Sequence, residues 1–148
     1  MIASTRYKIF VINMSGSRER WLNISSQLDA LNLQYERIEG IDASKLSPEE
    51  LSKYYSYKEN KNLFPRPLMV GEIGCHISHI KCWLEIVRQD LDFGVVLEDD
   101  AILSGRFSSA IKLLQEHPFE WDFIRLQPET KNRILYFQKK FFEYAFDE

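Results

Sequence analysis

The sequence predicts an α/β domain built on a mostly parallel sheet. Three observations carry that prediction. Apolar runs of strand length alternate with segments of helical periodicity. The runs Tyr7-Lys8-Ile9-Phe10-Val11-Ile12-Asn13 and Phe93-Gly94-Val95-Val96-Leu97 are apolar almost throughout, as strands covered on both faces are. Between them, residues 72–91 place Ile73, Ile77, Ile80, Leu84 and Val87 at steps of three and four, the mark of a helix with one apolar face. With 148 residues, the chain has the size of one domain, typically ~100–150 residues, and reads as a single domain over 1–148.

Each element has a local reason. After the first strand, Met14-Ser15-Gly16-Ser17 is a turn, and Ser17 offers a helix N-cap before Trp21, Ile24, Leu28 and Leu31 recur at helical spacing. Residues 33–41 return to strand, with Tyr35 and Ile38 as core candidates. Ser47-Pro48-Glu49-Glu50 starts a helix, with proline at its first position and carboxylates in its first turn. From Tyr54 the chain turns polar and tyrosine-rich, and then reaches Phe64-Pro65-Arg66-Pro67, where each proline biases its predecessor away from helix. The expectation here is a loop of about ten residues, long enough to carry a function. The long helix over 72–91 follows, then the buried strand from Phe93, a helix over 105–116 and a last strand over 121–126.

Composition excludes several classes. An apolar share of 45% and a charged share of 28% are those of an ordinary globular chain, not of a disordered, collagenous or coiled-coil one. The net charge of -3 gives no basic excess for nucleic acid. The aromatic share of 14% suits a core of large residues or a site that stacks on rings. Cys75 and Cys82 are seven residues apart in one helix, or ~10 Å along its axis, too far for a disulfide. A reduced, cytoplasmic protein is expected. No secretory signal or stretch of ~20 apolar residues is visible, and peripheral contact with the cytoplasmic face of an inner membrane stays open.

The central chemical feature is Glu98-Asp99-Asp100 at the carboxyl end of a hydrophobic strand. Strand ends of open α/β sheets are where ligands bind. Three adjacent carboxylates repel one another, and nothing basic follows within five residues. A hard cation such as Mn²⁺ or Mg²⁺ would neutralise them. In an extended chain Glu98 and Asp100 share a side and Asp99 points away. The alternative is a solvated turn.

The block Gly71-Glu72-Ile73-Gly74-Cys75-His76-Ile77-Ser78-His79 opens a helix with two glycines, each costing up to ~1 kcal/mol against alanine. That implies a close backbone approach, to a neighbouring element or to a ligand phosphate. Cys75, His79 and Cys82 fall on one helical face, so zinc must be weighed. A fourth ligand would have to come from elsewhere, His76 or His117, and no C-x-x-C pair exists, so cysteines as small core residues are the competing reading. Asn13 ends the first strand where a nucleotide would meet the sheet, with Arg18 and Arg20 after it and Arg66 in the proline-rich loop. Arginines suit bidentate phosphate contact. Asp42 is placed to accept from a ribose or base, or simply to form a turn.

Four segments in this order resemble a known family: Val11-Ile12-Asn13-Met14 with its arginine pair, Ile38-Glu39-Gly40-Ile41-Asp42, the Gly71 to His79 block, and Val96-Leu97-Glu98-Asp99-Asp100. Together they look like glycosyltransferase family 25, the bacterial lipopolysaccharide and lipooligosaccharide glycosyltransferases and their collagen galactosyltransferase relatives. The resemblance implies a GT-A-like, Rossmann-like nucleotide-sugar-binding sheet with flanking helices. It also implies a UDP-hexose donor, galactose first, and a saccharide acceptor on a lipid-linked glycan. It gives Glu98-Asp99-Asp100 the part of a D-x-D motif, with Asp100 and Glu98 on Mn²⁺ or Mg²⁺. Asn13, Arg18 and Asp42 would lie near the uridine or diphosphate, and Arg66, Glu72, Ser78, His79, Glu98 and Asp99 around the donor. No catalytic base is identified.

Two departures stand out. Met14 replaces the family's usual leucine, and the family pattern continues well past the segment matching residues 121–126. The chain is therefore expected to lack the C-terminal part that completes the acceptor site. Its aromatic tail over 137–148 reads as a helix through which copies could associate. Three functions follow: an inverting, metal-assisted hexosyltransferase; a nucleotide-sugar-binding module with little activity; and a metal-dependent phosphate-handling domain that has the same acidic strand end by convergence.

Overall fold

The computed structural model describes residues 5–116 and 122–126, which fall into two units divided between Ser109 and Ala110. The first unit is an α/β layer. Strand β1 (Tyr7–Asn13) leads to helix α1 (Arg18–Ala30) and strand β2 (Tyr35–Glu39). A 3-10 turn (Ala43–Lys45), two short helices α2 (Pro48–Ser52) and α3 (Tyr57–Leu63) and the long helix α4 (Val70–Arg88) then precede strand β3 (Phe93–Glu98). Helix α5 (Phe107–Glu116) follows.

The three strands are parallel in the order β2-β1-β3, so β1 is central. Ile9, Phe10 and Val11 are fully buried, the reason β1 reads as an uninterrupted apolar run. The chain leaves β1 towards β2 on one side and returns to β3 on the other. That makes the carboxyl ends of β1 and β3 a topological switch point, where open α/β sheets hold ligands.

Both long helices end in the same way. Asn32 and Asp90 adopt positive φ (51° and 52°). Behind them the Leu33 amide donates to the Leu28 carbonyl and the Leu91 amide to the Ile86 carbonyl, each at 3.1 Å. This is the Schellman closure, with Asn and Asp in the place glycine more often takes. It turns each helix sharply back into the next strand.

Helix α4 presents a different stripe from the one its spacing predicts. Ile73 and Ile77 are buried as expected, but Leu84 and Val87 are exposed. The period of 3.6 rotates a stripe of threes and fours slowly round the helix. The sheet-facing line runs instead through Ser78, Cys82 and Ile86, and Cys82 packs with Phe10, Ile12 and Ile38. The first turns of α4 pack against Ala43 and Tyr55, with Ile41, Leu46, Leu51 and Leu68 around them.

Two expected elements differ. The stretch from Tyr54, expected as loop, contains α3. Its N-cap Ser56 accepts from the Glu59 amide, a local bond that starts a helix without an apolar stripe. Buried Asn60 then fixes the proline-rich segment, donating to the Arg66 carbonyl at 3.1 Å and accepting from the Leu68 amide at 3.0 Å and from the Tyr55 hydroxyl. Residues 122–126 carry no strand: an apolar alternation becomes a strand only where it finds a partner to pair with. Trp121, His117 and the tail over 137–148, with its proposed part in self-association, lie outside the described residues. Among the described residues, no helix is long and apolar enough to cross a membrane.

The two glycines of α4 separate cleanly. A Cβ on Gly74 would lie 2.4 Å from the Ile41 carbonyl oxygen, whereas one on Gly71 would meet nothing within 4 Å. Gly74 therefore answers to a neighbouring backbone. Gly74→Ala should destabilise the protein by about 1–3 kcal/mol through overpacking. Gly71→Ala should be neutral or stabilising by up to about 1 kcal/mol. Urea unfolding midpoints of the two variants check the contrast.

Candidate functional site

A cleft of about 330 Å³ opens at the switch point, lined by Ile12 and Met14 from the end of β1, Arg20 from α1, residues 40–43, the first turns of α4, and Glu98 and Asp99. Its floor is fixed by one buried interaction. Asn13, 1% exposed, donates from Nδ2 to Asp99 Oδ2 at 2.7 Å and to the Ser17 carbonyl at 3.1 Å, tying the ends of β1 and β3 to the start of α1. Its Oδ1 is buried without a hydrogen-bond partner.

The acidic triplet is a turn, not an extended run. The Ala101 amide donates to the Glu98 carbonyl at 3.1 Å, closing the chain around Asp99 and Asp100. Gln27 of α1 pins the far side, donating to the Ala101 carbonyl at 3.1 Å and accepting from the Leu103 amide at 2.8 Å. The expected division of sides holds through the turn: Asp99 is buried at 8% exposure, while Glu98 and Asp100 are exposed. Arg20 supplies the missing neutralisation, its Nη1 3.3 Å from Asp99 Oδ1 and 3.9 Å from Asp100 Oδ2. A search of the following five residues misses it, because the counter-charge comes from α1. Arg18, the arginine favoured for phosphate, is exposed at the helix start and does not line the cleft. Two residues apart on a helix means roughly opposite faces, and the face that meets β3 carries Arg20.

Beside the turn, Glu98 Oε1 lies 3.3 Å from His79 Nε2 and accepts from Cys75 Sγ at 3.4 Å. Burial, with help from the Glu98 and Asp100 carboxylates, pushes the Cys75 thiol up to about 11. The helical trio weighed for zinc does not form. Cys82 faces the core, where burial pushes its thiol up to about 12, and Glu98 stands in its place beside Cys75 and His79.

Other expected site residues have defined structural partners. Ser78 is buried, donates to the Gly74 carbonyl at 2.7 Å and accepts from the Ile41 amide at 2.8 Å, so its hydroxyl holds the cleft's 40–43 wall. Asp42 forms the turn that such a residue forms by default. It accepts from the Ser44 hydroxyl at 2.6 Å and amide at 3.1 Å, which, with Lys45, lowers its pKa while it still lines the cleft. Arg66 and Glu72 are spent on each other in a bidentate pair at 2.6 and 2.8 Å. The Met69 amide adds a bond of 2.7 Å to Glu72. Arg66, then that amide, hold the Glu72 carboxyl down at about 2.

The sequence profile of glycosyltransferase family 25 (LPS biosynthesis protein) matches residues 6–147. The chain belongs to glycosyltransferase family 25. Curated relatives include procollagen galactosyltransferase 2 of Mus musculus, 26% identical over 129 residues, which cover 79% of this chain and 20% of the relative. A glycosyltransferase 25 family member of Drosophila melanogaster is 28% identical over 138 residues, 86% of this chain and 22% of the relative. Procollagen galactosyltransferase 1 of Danio rerio is 28% identical over 150 aligned positions, 86% of this chain and 23% of the relative. This family 25 chain thus spans about a fifth of the length of the curated relatives it matches.

The Glu72 carboxyl gives a pH prediction. Its pKa is depressed from 4.5 to about 2 in the folded state, so its contribution is fully present above the unfolded value and is lost as pH falls from about 4.5 towards about 2. Thermal unfolding followed across that window should show wild type losing more stability than Glu72→Gln. Because the pair is exposed, added salt should shrink the difference.

Proposed function

We propose that the chain forms the donor-binding portion of a glycosyltransferase that moves a hexose, galactose foremost, from a UDP-sugar to a saccharide acceptor of the lipopolysaccharide type with inversion. The observation that carries the reading is the acid-rimmed cleft at the switch point of the sheet, in a chain of family 25. The galactosyl donor is supported by the names of the procollagen galactosyltransferases, and the acceptor class by the family's description. Action on a lipid-linked glycan would place the protein at the cytoplasmic face of a membrane.

The residues fit a hard divalent cation. Glu98 and Asp100 offer exposed carboxylate oxygens, the donor class that Mn²⁺ and Mg²⁺ take, while Asp99 is held inward by Asn13 and Arg20. Glu98 and Asp100 would hold the ion, which when bound supplies positive charge to a leaving diphosphate. The chain's own groups act around it. Arg20, its side chain 61% exposed, is placed to contact a phosphate oxygen. Asp42 and the backbone of residues 40–43 wall the side opposite the acids, where a ribose or base would be recognised. Arg66 and Glu72 brace the entry to α4 without themselves being free for the donor.

Calorimetric titration of UDP and UDP-galactose, with and without Mn²⁺, tests this reading. Wild type should bind in a manganese-dependent way, and Asp100→Ala should weaken that binding at least about tenfold. Binding by folded wild type that is absent, or indifferent to manganese, would contradict it.

A further inference from the structure

We propose that Cys75, His79 and Glu98 form a binding site for a borderline divalent transition ion of the zinc class at the rim of the cleft. Their ligand atoms, Sγ, an imidazole nitrogen and a carboxylate oxygen, all lie within 4.8 Å of one another. Zinc bonds of ~2.1 Å to nitrogen or oxygen and ~2.3 Å to sulfur, arranged tetrahedrally, separate the ligand atoms by about 3.4 Å (N to O) and about 3.6 Å (S to O). The chain already holds His79 Nε2 and Glu98 Oε1 3.3 Å apart, and Cys75 Sγ and Glu98 Oε1 3.4 Å apart. Two edges of the coordination figure are thus preformed.

The supporting frame is rigid. Cys75 and His79 are one turn apart on α4, which Gly74 lets sit against the Ile41 carbonyl, and Glu98 is the last residue of β3. Three protein ligands leave a fourth position for water or another group, as in zinc sites that stay open. A thiolate and an imidazole select zinc-class ions over Mn²⁺ or Mg²⁺, which prefer oxygen alone. On loading, the Cys75 S–H proton leaves to solvent and the sulfur binds as thiolate.

Glu98 serves both this site and the hard-ion site of the proposed donor function, and this part of the inference rests on that reading. One carboxylate claimed by zinc is withdrawn from manganese.

The test titrates the metal-free 148-residue chain with Co²⁺ in a phosphine reductant, following the sulfur-to-cobalt charge-transfer absorption in the near ultraviolet. Wild type should show the band and Zn²⁺ should bleach it. Cys75→Ser should lose it with an unchanged circular dichroism spectrum, Cys82→Ala should keep it, and His79→Gln should weaken Co²⁺ binding at least about tenfold. No band in folded wild type, a band that survives Cys75→Ser, or His79→Gln binding as tightly as wild type would overturn the site. With one equivalent of Zn²⁺ loaded, manganese-dependent UDP affinity should fall at least about tenfold, and unchanged affinity would overturn the sharing of Glu98. Absence of UDP binding to the zinc-free protein would strike the donor reading alone, since the cobalt band is read without any nucleotide.

Discussion

The arrangement at the open end of the sheet depends on a buried hydrogen bond between an amide and a carboxylate. A carboxylate taken out of water is costly unless its oxygens are satisfied and its charge is offset. Asp99 meets both conditions, one oxygen on Asn13 Nδ2 and the other near Arg20. Asn13 is the last residue of β1 and Asp99 follows the last residue of β3, so the bond joins the ends of two neighbouring strands across the switch point. Bringing the Ser17 carbonyl into the same amide's reach sets where α1 begins.

From that anchor the other carboxylates take their places. With Asp99 turned inward, the turn closed by Ala101 and pinned by Gln27 leaves Glu98 and Asp100 on the open side. Three like charges in succession thus become one structural acid and two available ones. The opposite wall depends on close packing. Gly74 lets α4 approach the backbone at Ile41, and Ser78 holds the Ile41 amide, so the segment after β2 closes the cleft against the helix that carries Cys75 and His79.

Much of this was legible in the sequence. The apolar runs of β1 and β3 gave the parallel sheet, and the Ser47-Pro48-Glu49-Glu50 start is the capping box that its residue types imply. Asn13 and the acidic triplet mark the end of the sheet at which the cleft opens. What stayed hidden depends on partners distant in sequence. Arg20 neutralises an acid 79 residues away, which no local window reveals. Glu98 completes a group with Cys75 and His79 that helical periodicity alone would have completed with Cys82. Asn60, a polar residue in a polar stretch, gives no periodic signal, yet it orders the segment bearing Arg66 through hydrogen bonds. A pattern of threes and fours does not say which edge of a broad apolar face of α4 meets the sheet, and the sheet-facing line runs through Ser78, Cys82 and Ile86.

The most direct test of this account is a double-mutant cycle on stability, with Asn13→Ala, Asp99→Ala and the pair compared by urea unfolding. If the bond between these residues organises the strand ends, the two substitutions are coupled by about 1–3 kcal/mol, well beyond the additivity of independent sites. Additive effects, within about 0.5 kcal/mol, would show that Asn13 and Asp99 act separately and that something else sets the geometry of the cleft.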